Sequence, residues 1–308
     1  MIYLGFDTSN YTTSAACCGE NDVSIRKLLD VKQGERGLRQ SDALFQHVKR
    51  MPGLFEELCG KVQVSKTAAV GVSTRPRSVE GSYMPVFLAG EGYARVCADS
   101  LGVPLYRFSH QDGHIMAGII SAKTDFLLDK PFISVHLSGG TCEILLTRYN
   151  AQGFDVHAVG GTKDISAGQL IDRVGVALGM KFPAGAELER LAKKAQTGCK
   201  LPVNSNDGYI NFSGIETKSL SMINSTDSAE LSLGVLNAVA AAVTGAVNYC
   251  CRTHGIKDVL FVGGVTANGI IKEIIHRDSC ADVYFAAPEY STDNAYGIAK
   301  LAMMYNPA

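Results

Sequence analysis

His110 and His114, in His-Gln-Asp-Gly-His, are the residues whose type and spacing best suit chemistry in this chain. At i and i+4 two imidazoles share one helix face, with Cβ atoms about 5–6 Å apart. That geometry lets both rings converge on one ion, and divalent transition metals accept imidazole nitrogen readily. A pair of helix-capping or surface histidines has the same spacing. Two histidines do not complete a metal site, so a third ligand has to come from elsewhere in the chain. The candidates are Asp293, where a loop meets the last helix, and His136, on the strand before a glycine turn. Asp112 lies between the two histidines but points off their shared face.

Two glycine turns, Ser138-Gly139-Gly140 and Gly263-Gly264-Val265-x-x-Asn268, each follow an apolar strand. Glycines there let backbone N–H groups approach an anion closely, and a helix opening after Gly264 would offer its positive end. Neither has Walker or dinucleotide-fold spacing, which excludes those two nucleotide-binding classes. One such turn alone is more often a plain tight turn. Two of them, together with Asp7 in a strand–turn–strand, point to phosphate. In Ala167-Gly168-Gln169-x-x-Asp172-Arg173, Gly168 and Asp172 fall on one side of a helix. Asp172 would accept hydrogen bonds from a ribose if that side faces the glycine turns; otherwise the segment is a close-packed helix with a surface salt bridge. Arg75 and Arg77 follow directly on a buried strand, a usual position for a substrate loop in α/β folds.

These residues need elements to hold them. Residues 2–6 and Thr12–Cys18 read as strands around a polar turn. Ser41–Cys59 reads as an amphipathic helix, with Leu44, Val48, Met51 and Leu54 at helical spacing and Ser41 as N-cap. Strands are expected at Ala68–Ser73, Val103–Tyr106, Phe132–Leu137, Glu143–Thr147, Val259–Val262 and Asp282–Phe285. Helices are expected at Met84–Leu101, from about His110, at Ala167–Leu178, Ala186–Ala195 and 229–253, and at Thr292–Tyr305. Pro202–Asn224 reads as loop. Alternating strands and helices with two strand–turn–strand hairpins, Asp7 to Thr13 and His136 to Glu143, indicate an α/β fold with two similar lobes.

The chain has 308 residues, enough for one large domain or two medium ones. Its formal net charge is -1, so it cannot hold nucleic acid by bulk electrostatics and any RNA contact needs a local basic patch or a helper subunit. Nine cysteines without metal or disulfide spacing suit reduced thiols in a cytoplasmic protein. The opening Met-Ile-Tyr-Leu-Gly-Phe-Asp lacks the basic region of a secretory leader. The apolar run from Leu233 to Cys251 contains Asn237 and Asn248 and reads as a buried helix, so no membrane association is expected.

Taken in order, these segments resemble the family of tRNA threonylcarbamoyl-adenosine transferases known as Gcp or TsaD, formerly called O-sialoglycoprotein endopeptidase. The resemblance runs through Leu4-Gly-Phe-Asp-Thr-Ser9, His110-x-x-x-His114, Leu137-Ser-Gly-Gly140, Thr162-x-Asp164-x-x-Ala-Gly168-x-x-x-Asp172-Arg173, Phe182-Pro-Ala-Gly185, Phe212-Ser-Gly-Ile215, Gly263-Gly-Val-x-Ala-Asn268 and Thr292-Asp-Asn294. It implies an actin-like, Hsp70-like fold, with duplicated lobes around a nucleotide cleft. Residues 1–107 would form the first lobe with the helix at 293–308 packed on it, and 108–292 the second. His110, His114 and Asp293, with His136 as a further ligand, would bind iron or zinc. Asp7, Ser138, Gly139, Gly140, Asp172, Gly185, Gly263, Gly264 and Asn268 would hold ATP or an acyl-adenylate. The implied partners are tRNA and proteins of the TsaB and TsaE type, in a homodimer or heterodimer.

The chain departs from the family pattern at several positions. The usual glycine-rich loop after the third strand is here Arg75-Pro-Arg-Ser-Val-Glu80. An acid is replaced by Ile165, a glutamate by Gln169 and a lysine by Arg173. These changes keep a second reading open, a paralogue that uses the same fold on another acceptor. A non-catalytic scaffold is disfavoured by the His-x-x-x-His pair. The pair also lacks the glutamate of zinc proteases.

Overall fold

The computed structural model describes residues 1–9, 11–31, 38–290 and 295–306. The chain divides into two compact units. The first comprises Met1–Asp125, Tyr149–Asp155 and Thr292–Ala308, and the second Phe126–Arg148 and Val156–Ser291.

In the first unit β1 (Ile2–Ser9), β2 (Thr12–Gly19), β3 (Val23–Leu28), β4 (Thr67–Arg75) and β5 (Leu105–Ser109) form a sheet in the order β3-β2-β1-β4-β5. The first three strands run antiparallel, and β4 and β5 join parallel to β1. Helices α1 (Gln40–Cys59), α2 (Phe87–Leu101) and α3 (His110–Ala122) follow in sequence.

The second unit repeats the plan. It holds β6 (Phe132–Leu137), β7 (Cys142–Asn150), β8 (Gly153–Thr162), β9 (Ser205–Asn206), β10 (Tyr209–Ile210), β11 (Asp258–Val262) and β12 (Asp282–Phe285), ordered β12-β11-β6-β7-β8-β10-β9, except that the β7–β8 connection with its flanking residues, 149–155, belongs to the first unit. Its helices are α4 (Ala167–Ala177), α5 (Gly185–Ala192), α6 (Ser213–Met222), α7 (Ser228–His254) and α8 (Gly269–Asp278); α9 (Tyr296–Tyr305) returns to the first unit. The run β8-β7-β6-β11-β12 has the order of β3-β2-β1-β4-β5. In both, a hairpin is followed by two parallel additions.

Each sheet buries its own core. Leu4, Phe6, Val70 and Val72 pack with Met51, Leu54 and Leu58 of α1 in the first unit. Ile133, Val135, Ile144 and Phe261 pack with Val235, Val239, Val243 and Val247 of α7 in the second. Each such side chain contributes about 1.5–3 kcal/mol on burial. Helix α7 is apolar and long enough to cross a membrane, but 72% of its most apolar window is buried within the protein, as expected of a core helix.

Several expectations need correction. Helix α1 buries Ala43, His47, Met51, Leu54 and Leu58, whereas Val48 is 45% exposed. The buried stripe passes through a histidine that a purely apolar count skips. Its N-cap is Arg39 and not Ser41. Pro52 inside α1 cannot donate to the Val48 carbonyl, and Tyr93 Oη of α2 donates to that oxygen at 2.9 Å. The stretch expected as loop at 202–224 contains α6 and a small hairpin. Residues 108–125, expected in the second lobe, belong to the first unit, because α3 packs against α9 and against β4 and β5. The last helix packs on the first unit's sheet.

Candidate functional site

In the first unit the carboxyl ends of the strands gather polar side chains. Asp7, at the end of β1, is fully buried. Its carboxylate accepts from Ser73 Oγ at the end of the parallel neighbour β4, and its Oδ1 lies 3.0 Å from His110 Nδ1. Beyond that ring, His110 Nε2 lies 2.9 Å from His114 Nε2. With Nδ1–H donated to a carboxylate, His110 presents a lone pair at Nε2, and His114 donates its own Nε2–H to it. A carboxylate behind a histidine, fixing its tautomer and aiming its other nitrogen, is the arrangement found behind metal-ligating imidazoles. The pair therefore fits two ligands of a divalent ion, provided the His114 proton sits on Nδ1 when the ion is bound. No described group of three or more His, Cys, Asp and Glu side chains forms a complete cage. Asp293, with Thr292 and Asn294, lies outside the described residues, and His136 belongs to the second unit.

Helix α3 is held by a capping box: Ser109 Oγ accepts from Asp112 N at 3.1 Å, and Asp112 Oδ2 accepts from Ser109 N at 2.8 Å. Asp112 thus points off the histidine face, as the spacing requires. Burial pushes its carboxyl up, opposed by the donors around it.

The first hairpin is clamped from two further sides. Thr8 Oγ1 donates to the Val86 carbonyl and accepts from Gly90 N of α2. Thr13 Oγ1 meets His47 Nδ1 of α1 at 2.8 Å. Burial pushes the His47 imidazole down to about 4, against the pull of the Asp7 carboxylate. Neither His47 nor Ser73 stands out in the sequence. Each is a single polar residue inside an apolar element.

In the second unit the two glycine turns lie side by side, since they follow the parallel neighbours β6 and β11. Gly263 has φ +103°, and a Cβ there would strike the Leu137 carbonyl, so the two turns close against each other only with glycine at that position. Gly139, Gly140 and Gly264 have open space on their outer side. The Ser138 hydroxyl accepts from Gly140 N at 3.4 Å and Thr141 N at 3.0 Å, so the turn is partly self-satisfied. After Gly263 the chain makes a short 3-10 turn, Gly264–Ala267. The full helix α8 opens only at Gly269, capped by Asn268 Oδ1 on Ile271 N at 3.0 Å.

The first turn of helix α4 packs against the Ser138-Gly139 turn. Ser166, its N-cap, donates to the Gly139 carbonyl at 2.6 Å, and a Cβ on Gly168 would stand 2.6 Å from Gly139 Cα. Gln169 completes a capping box with Ser166, a role open to glutamine and glutamate alike. Asp172 Oδ1 accepts from Ala184 N at 2.7 Å and so fixes the loop that leads into Gly185 and α5. Burial pushes the Asp172 carboxyl up. Arg173 pairs with Glu216 of α6 on the surface.

Asp164 stands out in the sequence only as part of a motif. Its Oδ1 accepts from Phe212 N and its Oδ2 from Ser213 N, both at 2.9 Å. Burial alone would raise its carboxyl, but these donors outweigh it and draw it down to about 2. Arg75 is half-buried and Arg77 exposed, at the start of the loop after β4. Burial drives the thiols of Cys17, Cys18, Cys142, Cys250 and Cys251 up to about 11 or 12, so none of these five is an activated nucleophile.

A family model described as TsaD: tRNA N6-adenosine threonylcarbamoyltransferase matches residues 28–300. A protein of Shouchella clausii named tRNA N6-adenosine threonylcarbamoyltransferase is 30% identical over 312 residues, covering 95% of this chain and 89% of the relative. One of the same name from Thermus thermophilus is 29% identical over 314 residues, covering 98% and 92%. Among solved structures, HypF of T. kodakarensis superposes with a TM-score of 0.65 at 15% identity, over 99% of this chain and 47% of that one. The activator of the 2-hydroxyisocaproyl-CoA dehydratase from Clostridium difficile, solved with ADPNP, gives 0.57 at 15% identity, over 99% and 95%. The fold is the actin-like one, with the hairpin-led sheet present twice.

Proposed function

The chain belongs to the tRNA N6-adenosine threonylcarbamoyltransferase family, and from that premise we propose that it transfers a threonylcarbamoyl group from threonylcarbamoyl-adenylate to the adenosine beside the anticodon of tRNA. The match over residues 28–300 is the observation that carries this reading.

An acyl-adenylate is already activated, so the protein has to position it and stabilise developing charge. The exocyclic N6 amine of adenosine forms a bond to the carbamoyl carbonyl carbon. The bond from that carbon to the phosphate oxygen breaks, AMP leaves and the amine gives up a proton. His110 and His114, with Asp293 completing the set, would hold iron or zinc, which supplies Lewis-acid chemistry when bound. Asp7 keeps the Nδ1 proton of His110 in place and so aims the ring. Gly139, Gly140 and Gly264 have room on their outer side that the adenylate phosphate would take, while Ser138 sets the turn. Asp172, Gly185 and Asn268 would serve as nucleotide contacts, and Arg75 and Arg77 would meet the acceptor. With a net charge of -1, turnover on tRNA in the cytoplasm draws on partner subunits of the TsaB and TsaE type.

Modification analysis of tRNA from cells depleted of this gene tests the reading: threonylcarbamoyl-adenosine should fall. The rebuilt Arg75–Glu80 loop favours a second reading, carbamoyl transfer to a different acceptor on the same fold. Unchanged tRNA in such cells supports that one.

A further inference from the structure

The loop that follows β4 is folded on itself and docked. Arg77 N donates to Ser82 Oγ at 3.1 Å and Ser82 N to the Val79 carbonyl at 3.2 Å, which close a compact turn. Two bonds fasten this turn to the first turn of α3. The Pro76 carbonyl accepts from Gln111 N at 3.1 Å, taking one of the helix's otherwise unpaired amides. Ser78 Oγ donates to Asp112 Oδ2 at 3.0 Å.

Asp112 is fully buried and serves three segments at once. Oδ2 also takes Ser109 N, and Oδ1 takes Phe154 N at 3.3 Å. One carboxylate therefore registers the loop, the N-terminus of α3 and the strand start at 153–154 against each other. Its peptide lies two residues from His110 and two from His114. Beyond the anchor, Arg77, Val79 and Glu80 are exposed, with Val79 at 54%. An exposed cation next to an exposed apolar residue, on a turn tied to the histidine helix, can contact an acceptor. It can do so at a set distance from the reacting centre only while the tie holds.

We propose that Ser78 is a positioning residue for the acceptor: its hydroxyl, bonded to Asp112, fixes the 75–82 turn on the histidine helix and so sets where Arg77 meets the tRNA backbone. The inference rests on the transferase reading above. Losing the bond leaves the histidine pair and the glycine turns intact and frees the turn, so the loss falls on acceptor binding.

The test is steady-state kinetics of Ser78→Ala, Ser78→Thr and Arg77→Ala in the reconstituted mixture. Unmodified tRNA is varied at saturating threonylcarbamoyl-adenylate, with metal content measured on each protein. The lost bond can cost acceptor binding at most its own worth, about ten-fold, so Ser78→Ala should raise the KM for tRNA by several-fold and up to about ten-fold. Its kcat, its KM for the adenylate and its metal content should stay within about two-fold of the parent. Ser78→Thr keeps the hydroxyl and should restore KM. Arg77→Ala should raise the same KM, and by a smaller factor when added to Ser78→Ala than alone. An unchanged KM in Ser78→Ala while Arg77→Ala raises it overturns the positioning role and leaves the transferase reading standing. A kcat or metal loss in Ser78→Ala as large as the KM change also overturns it, since the serine would then be a general structural prop. No modified nucleoside with the parent protein removes the transferase reading, and the inference falls with it.

Discussion

Asp7 Oδ1 lies 3.0 Å from His110 Nδ1, joining the end of the first strand to the first residue of α3 across 103 positions of sequence. The carboxylate sets the tautomer of the ring, and the other nitrogen, Nε2, is thereby left as a lone pair aimed at His114. Asp7→Asn should weaken metal binding about 10–100-fold while leaving both histidines in place. Equilibrium dialysis with zinc on the two proteins reads this directly. His110→Ala with His114→Ala should abolish binding, and unchanged metal in that double variant would sink the site.

The glycine at 168 faces a backbone. A methyl group there would stand 2.6 Å from Gly139 Cα and 2.7 Å from the Ser138 carbonyl oxygen, neither of which can swing aside. Gly168→Ala should cost about 1–3 kcal/mol in denaturant unfolding. It should also reduce the melting-temperature rise produced by ATP, because the turn is displaced. Gly264→Ala, which meets nothing within 4 Å, should stay within about 0.5 kcal/mol of the parent.

Asn268 both caps α8 and stands among the proposed nucleotide contacts, so its removal has two separable effects. Asn268→Ala should lower apo stability by about 1 kcal/mol through the lost cap. The increment in melting temperature on adding adenine nucleotide should shrink as well, by mass action on a weaker site. Guanine nucleotides should give no increment. An increment in the variant equal to the parent's would remove Asn268 from the nucleotide site and leave it as a cap alone.

His47 carries a pH signature. Its imidazole is pushed down to about 4 in the folded protein by burial, from an unfolded value near 6.5. Between those values the unfolded chain binds the proton and the folded chain does not. Stability from this group is therefore full above about pH 6.5 and is lost as pH falls towards 4, at a slope of up to ~1.4 kcal/mol per pH unit. His47→Gln should flatten that part of the curve in urea unfolding between pH 4 and 7. A curve of unchanged slope would contradict the assignment.

Local spacing is enough to find the two hairpins, the histidine face of α3 and the glycine turns, because period and turn chemistry are written in consecutive residues. Their partners are not. The link from Asp7 to His110 spans two elements that meet only after the sheet forms, and Ser73 reaches Asp7 through parallel strand pairing. Apolar spacing places helix α1 correctly in extent but turns it on its axis, since the residue that completes its inner stripe is His47 and not an apolar one. Helix α6 reads as loop because serine, glycine and threonine dominate its start. Its entry at Phe212 and Ser213 is held by Asp164, nearly fifty residues away. Asp172 shows the opposite case. Helical spacing puts it on the side of Gly168, but its bond to Ala184 depends on the fold of the intervening loop.

The most direct measurement combines the purified chain, threonylcarbamoyl-adenylate, unmodified tRNA and partner proteins of the TsaB and TsaE type, and reads threonylcarbamoyl-adenosine by mass spectrometry. The account predicts product in the full mixture, little with the chain alone because its net charge of -1 gives weak and steeply salt-dependent tRNA binding, and none with His110→Ala plus His114→Ala. No modified nucleoside from the parent protein in any mixture, with metal and nucleotide binding intact, would contradict it and assign the fold to another acceptor.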